Sequence, residues 1–176
     1  MADNYIERQF EQYQAKKAAW QKPLKHTSKK TNSKRVFITG GANGIGKAIV
    51  KAFRQKNYPV AFCDKDEASG LQTAKETGAA FYLVDIQNKE ALENCMLKII
   101  KRWGDILINN AGVSLFSDLT ETSVEDFDQI LSINLRPVFI TSRLLAIHRK
   151  AQDSPQHYGR IINICSTRHL MSEPGS

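Results

Sequence analysis

The stretch Thr39-Gly40-Gly41-Ala42-Asn43-Gly44-Ile45-Gly46 holds four of the chain's ten glycines. Glycine adopts backbone conformations closed to other residues and lets the main chain approach a ligand closely. Such a turn suits a pyrophosphate whose charge faces the N-terminus of a following helix. Asp64 stands 20 residues beyond Gly44, the separation at which a carboxylate accepts hydrogen bonds from the ribose of an adenosine. The same carboxylate repels a 2′-phosphate, and Asn43 in the turn brings no compensating cation. Together these features point to NAD, with NADP less favoured. The alternative at position 64 is an ordinary exposed turn residue, since Asp66 and Glu67 stand close by.

A glycine turn can do this work only where a strand leads in and a helix leads out. Residues 35–39 read as a short buried strand and 44–56 as the helix after the turn. Beyond them the pattern predicts a strand at 59–64, a helix at 67–77 and a strand at 79–85. A helix follows at 88–102, with Leu92, Met96, Ile99 and Ile100 on its inner face, then a strand at 106–110. Ser123 and Asp126 have capping-box spacing and open one long helix running to Lys150. Residues 160–165 form a fifth strand. Strands separated by helices mean right-handed crossovers and a parallel sheet with helices on both faces. The unbroken Val, Ile, Leu and Phe runs fit strands buried on both sides.

Composition narrows the class. The 176 residues are one domain's worth, and 41% hydrophobic with 24% charged is globular usage. The net charge is +7, of which residues 1–35 carry +6 and the rest only +1. The basicity belongs to a leader, so nucleic acid is not the expected partner. Ile6, Phe10, Tyr13 and Trp20 share one helical face, which predicts an amphipathic helix near 5–21, ended by Pro23 and followed by a polar linker. The domain plan is therefore a basic helical leader and linker, 1–33, and an α/β domain, 34–176. Cys63, Cys95 and Cys165 have no metal-ligand spacing, and their odd number suits reduced thiols. Cys165 reads as a core residue. No apolar run approaches the roughly 18 residues of a membrane helix, so no membrane partner and a cytoplasmic location are expected.

The spacing Thr39-Gly40-x-x-x-Gly44-x-Gly46, together with Asn109-Asn110-Ala111-Gly112 after the fourth strand, resembles the short-chain dehydrogenase/reductase family over residues 34–176. The resemblance implies a Rossmann-like doubly wound parallel sheet, with five strands present and the family's C-terminal strands missing. It also implies NAD-dependent hydride transfer between a small alcohol and a ketone. Thr39, Gly40, Asn43, Gly44, Ile45 and Gly46 fall on the cofactor turn, Asp64 on the acid that selects NAD, and Asp85-Ile86 beside the adenine. Asn110-Ala111-Gly112 matches the segment that steadies the central sheet and lines the nicotinamide side. Asn134 matches the active-site Asn, and Ser166, three residues after Asn163, the catalytic Ser. Only the resemblance separates Ser166 from a turn serine.

The chain departs from the family after Ser166. The family's proton donor is the Tyr of a Tyr-x-x-x-Lys pair about 13 residues beyond the Ser, tuned because free Tyr titrates near 10. Ser166 is followed by only ten residues, none of them Tyr. Tyr13 and Lys17 have the right spacing but precede the first strand, so they read as coincidence. The expectation is a truncated, inactive oxidoreductase, or alternatively a non-catalytic dinucleotide-binding remnant or sensor. A homo-oligomer is expected of full-length relatives and doubtful for this chain. Because the leader supplies no matched residue, deleting 1–33 is expected to leave dinucleotide affinity unchanged in calorimetric titration. A loss of binding would place the leader in the site.

Overall fold

The computed structural model describes residues 34–115, 117–151 and 159–166. The expected leader helix, Phe116, residues 152–158 and those after Ser166 lie outside them. Five strands alternate with helices. They are β1 (Val36–Thr39), α1 (Gly44–Gln55), β2 (Val60–Asp64), α2 (Glu67–Thr77), β3 (Ala80–Leu83), α3 (Lys89–Trp103), β4 (Ile106–Asn109), α4 (Val124–Asn134), α5 (Arg136–Lys150) and β5 (Arg160–Asn163). All neighbouring strands are parallel, in the order β3-β2-β1-β4-β5. The chain works outward from β1 to β3, then returns to the other side of β1 with β4. A crevice opens at that reversal, at the strands' C-terminal ends.

Alternating side chains split the core into two layers. Phe37, Ala61, Cys63 and Leu107 face one way, onto Leu92, Met96, Ile99 and Ile100 of α3 and Ile140 and Leu145 of α5. Val36, Ile38, Val60, Phe62, Ile106 and Ile108 face the other way, with Val50 of α1 among them and Ala74 of α2 packed alongside. Every residue of β1 and β4 is buried, which is why their sequences run apolar without alternation. Burial pushes the Cys63 thiol up, and Cys95 is pushed up to about 11 by the same desolvation. Both stay protonated and inert.

The structure corrects three expectations. The long helix is two helices meeting at Leu135, where φ is −117° and ψ −52°. Pro137 has no N–H for the carbonyl of Ile133, so the hydrogen-bond ladder lapses there. Taken as one stretch, Val124–Lys150 is long and apolar enough to cross a membrane by length and composition, with hydropathy 1.4. The reading that no such stretch exists missed it because Arg136 and Arg143 interrupt the run. Its buried residues, Ile133, Pro137, Ile140, Thr141 and Leu145, pack inward. Cys165 is exposed, not core, because among the described residues β5 is the outermost strand and all four of its residues are exposed.

Asp105 ties the N-terminal ends of three strands together. Its Oδ2 accepts from the Arg35 N–H at 2.8 Å and its Oδ1 from Arg149 Nη2 at 2.9 Å. Its carbonyl accepts from the Arg160 N–H at 3.0 Å, and Arg149 also donates to the Gly104 carbonyl. One residue thus links the starts of β1, β4 and β5 to the end of α5. Burial pushes the Asp105 carboxyl up, but bonds from the Arg35 amide and Arg149 outweigh it and hold it below its ordinary range. A carboxyl depressed in the folded state adds stability above its unfolded pKa and loses it as pH falls through the folded value. Asp105→Ala should therefore lower unfolding free energy at pH 7 by about 1–3 kcal/mol. Its deficit against the parent should shrink in urea unfolding as pH drops below about 4.

Candidate functional site

The strand register gathers the site. Thr39 of β1 pairs with Cys63 of β2 and Asn109 of β4, and Asn109 pairs with Asn163 of β5. The residues that follow each strand therefore emerge side by side along one edge.

The glycine turn is shaped by contacts that allow no side chains. Gly40 has φ +67°, and a Cβ there would lie 2.8 Å from Ala111 Cα. A Cβ on Gly46 would lie 1.8 Å from the Gly40 carbonyl oxygen, so the first turn of α1 rests directly on the turn before it. Gly44 differs. Its φ is +53°, and a Cβ would meet nothing within 4 Å, so the backbone there faces open space. Hydrogen bonds secure the rest. Gly40 and Gly41 donate to the Cys63 carbonyl at 2.8 and 3.2 Å, and Asn110 Nδ2 donates to the carbonyls of Gly40 and Thr39.

The helix that leaves this turn has a bare positive end. Asn43 makes no side-chain cap, and no acidic residue lies in the first turn of α1. The three other helices that follow a loop are capped by Asp66, Asn88 and Ser123, each with an acid in its first turn. Unpaired N–H groups and the helix dipole make the start of α1 attractive to an anion.

A cleft of about 510 Å³ lies over this end. Gly40, Asn43, Gly44, Ile45 and Gly46 form one wall, and Asn110, Ala111 and Gly112 another. Asp64, Asp85 and Ile86 also line it. The Asp64 carboxylate is held rigidly, with Oδ2 accepting from the Ala42 N–H at 3.0 Å and Oδ1 from the Asp66 N–H at 3.1 Å. Asp66, which the sequence reading set aside, also lines the cleft. Hydrogen bonds from Ser69, then from Asn43, hold its carboxyl below the ordinary range. Lys65 was missed as well: it is a cation lining the cleft beside Asp64, and its adjacency to the acid was the available signal.

Three expected residues lie outside the cleft lining. Thr39 is buried, and its Oγ1 accepts from the N–H groups of Asn110 and Ala111 at 3.1 and 3.2 Å, joining the two walls. Asn134, the last residue of α4, grips the backbone of Val113. Its Oδ1 accepts from the Val113 N–H at 2.9 Å and its Nδ2 donates to the Val113 carbonyl at 2.8 Å. Ser166 sits past the end of β5 and is exposed. The structure gathers the predicted turn, acid and Asn-Ala-Gly residues at one cleft and leaves Ser166 apart from it.

A parallel doubly wound sheet, with a glycine turn, an uncapped helix and a fixed carboxylate at its switch point, defines a Rossmann-like domain. The sequence profile of the family described as short chain dehydrogenase matches residues 34–176, and the chain belongs to that family. It is 38% identical over 140 residues to the L-fucose dehydrogenase of Mus musculus, a match covering 77% of this chain and 49% of that protein. The chain thus spans about half the length of the curated relatives it matches. Among solved structures, "ElxO with NADP Bound" superposes with a TM-score of 0.70 at 30% identity, covering 82% of this chain and 60% of that one. A double mutant of a Serratia marcescens short-chain dehydrogenase/reductase gives 0.70 at 29% identity, covering 81% and 59%.

The two glycines at the start of α1 should respond differently to a methyl group. Gly46→Ala forces backbone apart and should cost about 3 kcal/mol or more. Gly44→Ala meets only left-handed backbone strain, about 1–2 kcal/mol. Urea unfolding of the two variants checks the order; equal losses would contradict the packing described.

Proposed function

We propose that the cleft binds a nicotinamide dinucleotide, NAD in preference to NADP, and that it is built to serve hydride transfer between that cofactor and a small alcohol or ketone. The observation that carries this reading is Asp64, fixed by two backbone N–H groups beside a bare helix N-terminus. Its oxygens keep lone pairs free for the two hydroxyls of an adenosine ribose. The glycine turn and the amides of α1 would hold the pyrophosphate, the space beside Gly44 leaving room for it. Asp85 and Ile86 would flank the adenine, with Asn110, Ala111 and Gly112 toward the nicotinamide. Bound there, the nicotinamide ring supplies the site that accepts or gives the hydride.

Selection against a 2′-phosphate rests on two carboxylates, Asp64 and Asp66, set against one cation, Lys65. Like charge in a partly enclosed cleft opposes the phosphate. The NADP-bound neighbour and Lys65 support the other cofactor, which makes the comparison worth measuring. Calorimetric titration is expected to show NADH binding more tightly than NADPH. Asp64→Ala should weaken NADH by about 10–100-fold, the worth of hydrogen bonds to a charged group, and narrow the preference. Tighter NADPH binding by the unmodified chain would overturn the choice.

For the chemical step, Ser166 would donate a hydrogen bond to the substrate oxygen. Asn134 would hold the Val113 loop while Pro137 leaves the Ile133 carbonyl open to a proton relay. These 176 residues carry no Tyr with a Lys four positions on after Ser166. General acid–base help is worth roughly 10²–10⁴ in rate, so turnover by this chain alone is expected below detection. Absorbance of reduced nicotinamide across alcohols, ketones and L-fucose checks this. Turnover that Tyr13→Phe abolishes would show that the leader pair supplies the proton.

A further inference from the structure

We propose that Thr73 of α2 is a positioning residue for dinucleotide binding, its hydroxyl setting the orientation of the glycine turn's Ala42–Asn43 peptide. The inference rests on the reading of the turn as the pyrophosphate site. A threonine inside a helix ordinarily turns its hydroxyl back to the carbonyl one turn earlier. Thr73 is wholly buried, and its Oγ1 instead donates across 31 residues to the Ala42 carbonyl at 2.8 Å. Close packing makes the reach possible. A Cβ on Gly70, one turn earlier in α2, would meet the Phe81 ring at 2.3 Å, so the helix lies tight against the sheet.

Ala42 is itself fully buried, and both of its polar groups are engaged. Its N–H goes to Asp64 Oδ2 at 3.0 Å and its carbonyl to Thr73. In a planar trans peptide the C=O and the next N–H point in opposite directions. Drawing the Ala42 carbonyl back toward α2 therefore turns the Asn43 N–H away from α2, at the residue that opens α1 and lines the cleft. Without the hydroxyl the buried carbonyl has lost its partner, and rotation of that peptide becomes the way to find another. The α2 helix thus sets the geometry of a turn that belongs to β1 and α1.

The test compares Thr73→Val, which keeps the shape and removes the hydroxyl, with Thr73→Ser, which keeps the hydroxyl. NADH and ADP are titrated calorimetrically, and folding is followed by circular dichroism. The expected result is about tenfold weaker binding of both ligands to a folded Thr73→Val protein, with Thr73→Ser restoring parental affinity. Amide exchange should quicken in residues 40–47 of the valine variant and stay unchanged in β4, which a merely global destabilisation would not produce. Parental affinity in folded Thr73→Val overturns the inference. If the valine variant does not fold, Thr73→Ala, which cannot crowd the site, takes its place. Failure of both to fold also overturns it, since the hydroxyl would then hold the domain and not the turn. Should the unmodified chain bind neither ligand, the pyrophosphate reading fails first and the inference falls with it.

Discussion

The oxygen of Gly40 occupies the place where residue 46 would carry its side chain, and the geometry of the binding edge follows from that contact. With α1 seated on the turn, its first amides open onto the cleft and not into the sheet. The Gly40 carbonyl, pressed by the helix, is then free to accept from Asn110 Nδ2, which draws the segment after β4 alongside. Thr39 completes the join by accepting from two N–H groups of that segment. Strands that are neighbours in the sheet but 70 residues apart in the chain become one surface. A side chain at position 46 would lift the helix and undo each of these links.

Charge is distributed to suit that surface. Helices α2, α3 and α4 carry their own caps and acids, so their dipoles are answered within the protein. Helix α1 is not answered, and its first residues form one wall of the cleft. On the far side, Lys47 and Lys51 pair with Glu76 at 3.1 and 3.0 Å, bracing α1 against α2. Hydrogen bonds from Gln72 and then the two lysines hold Glu76 down to about 2. Those pairs are part-exposed and contribute little to stability; their effect is to keep the two helices in register.

Polar groups also organise the interior between β4 and β5. Asn109 is buried, donates to Asn163 Oδ1 at 2.9 Å and accepts from Thr141 at 2.8 Å. Buried amides of this kind favour one pairing of strands and helix over others, because any slip leaves them unsatisfied. The strand leading to Ser166 is aligned by this network even though all four of its residues are exposed, Ile161 at 42%.

Local spacing in the chain was enough to determine the alternation of strands and helices, the glycine turn, the acid 20 residues on and the Ser123 cap of α4. Each of those depends on residues a few positions apart, or on a repeat that every crossover imposes. The break at Leu135 was half legible, since Pro137 announces a lost donor but not whether the helix bends or ends. Tertiary structure alone decided the rest. Asn134 reads as a site residue, and its grip on Val113, 21 residues away, is set by packing alone. Thr73 reads as an ordinary helical threonine and proves to hold Ala42, 31 residues away. The exposure of Cys165 follows from β5 being the outermost of the described strands. These partners are set by which surfaces the packed sheet brings together, and a side chain's type and neighbours in sequence do not encode that distance.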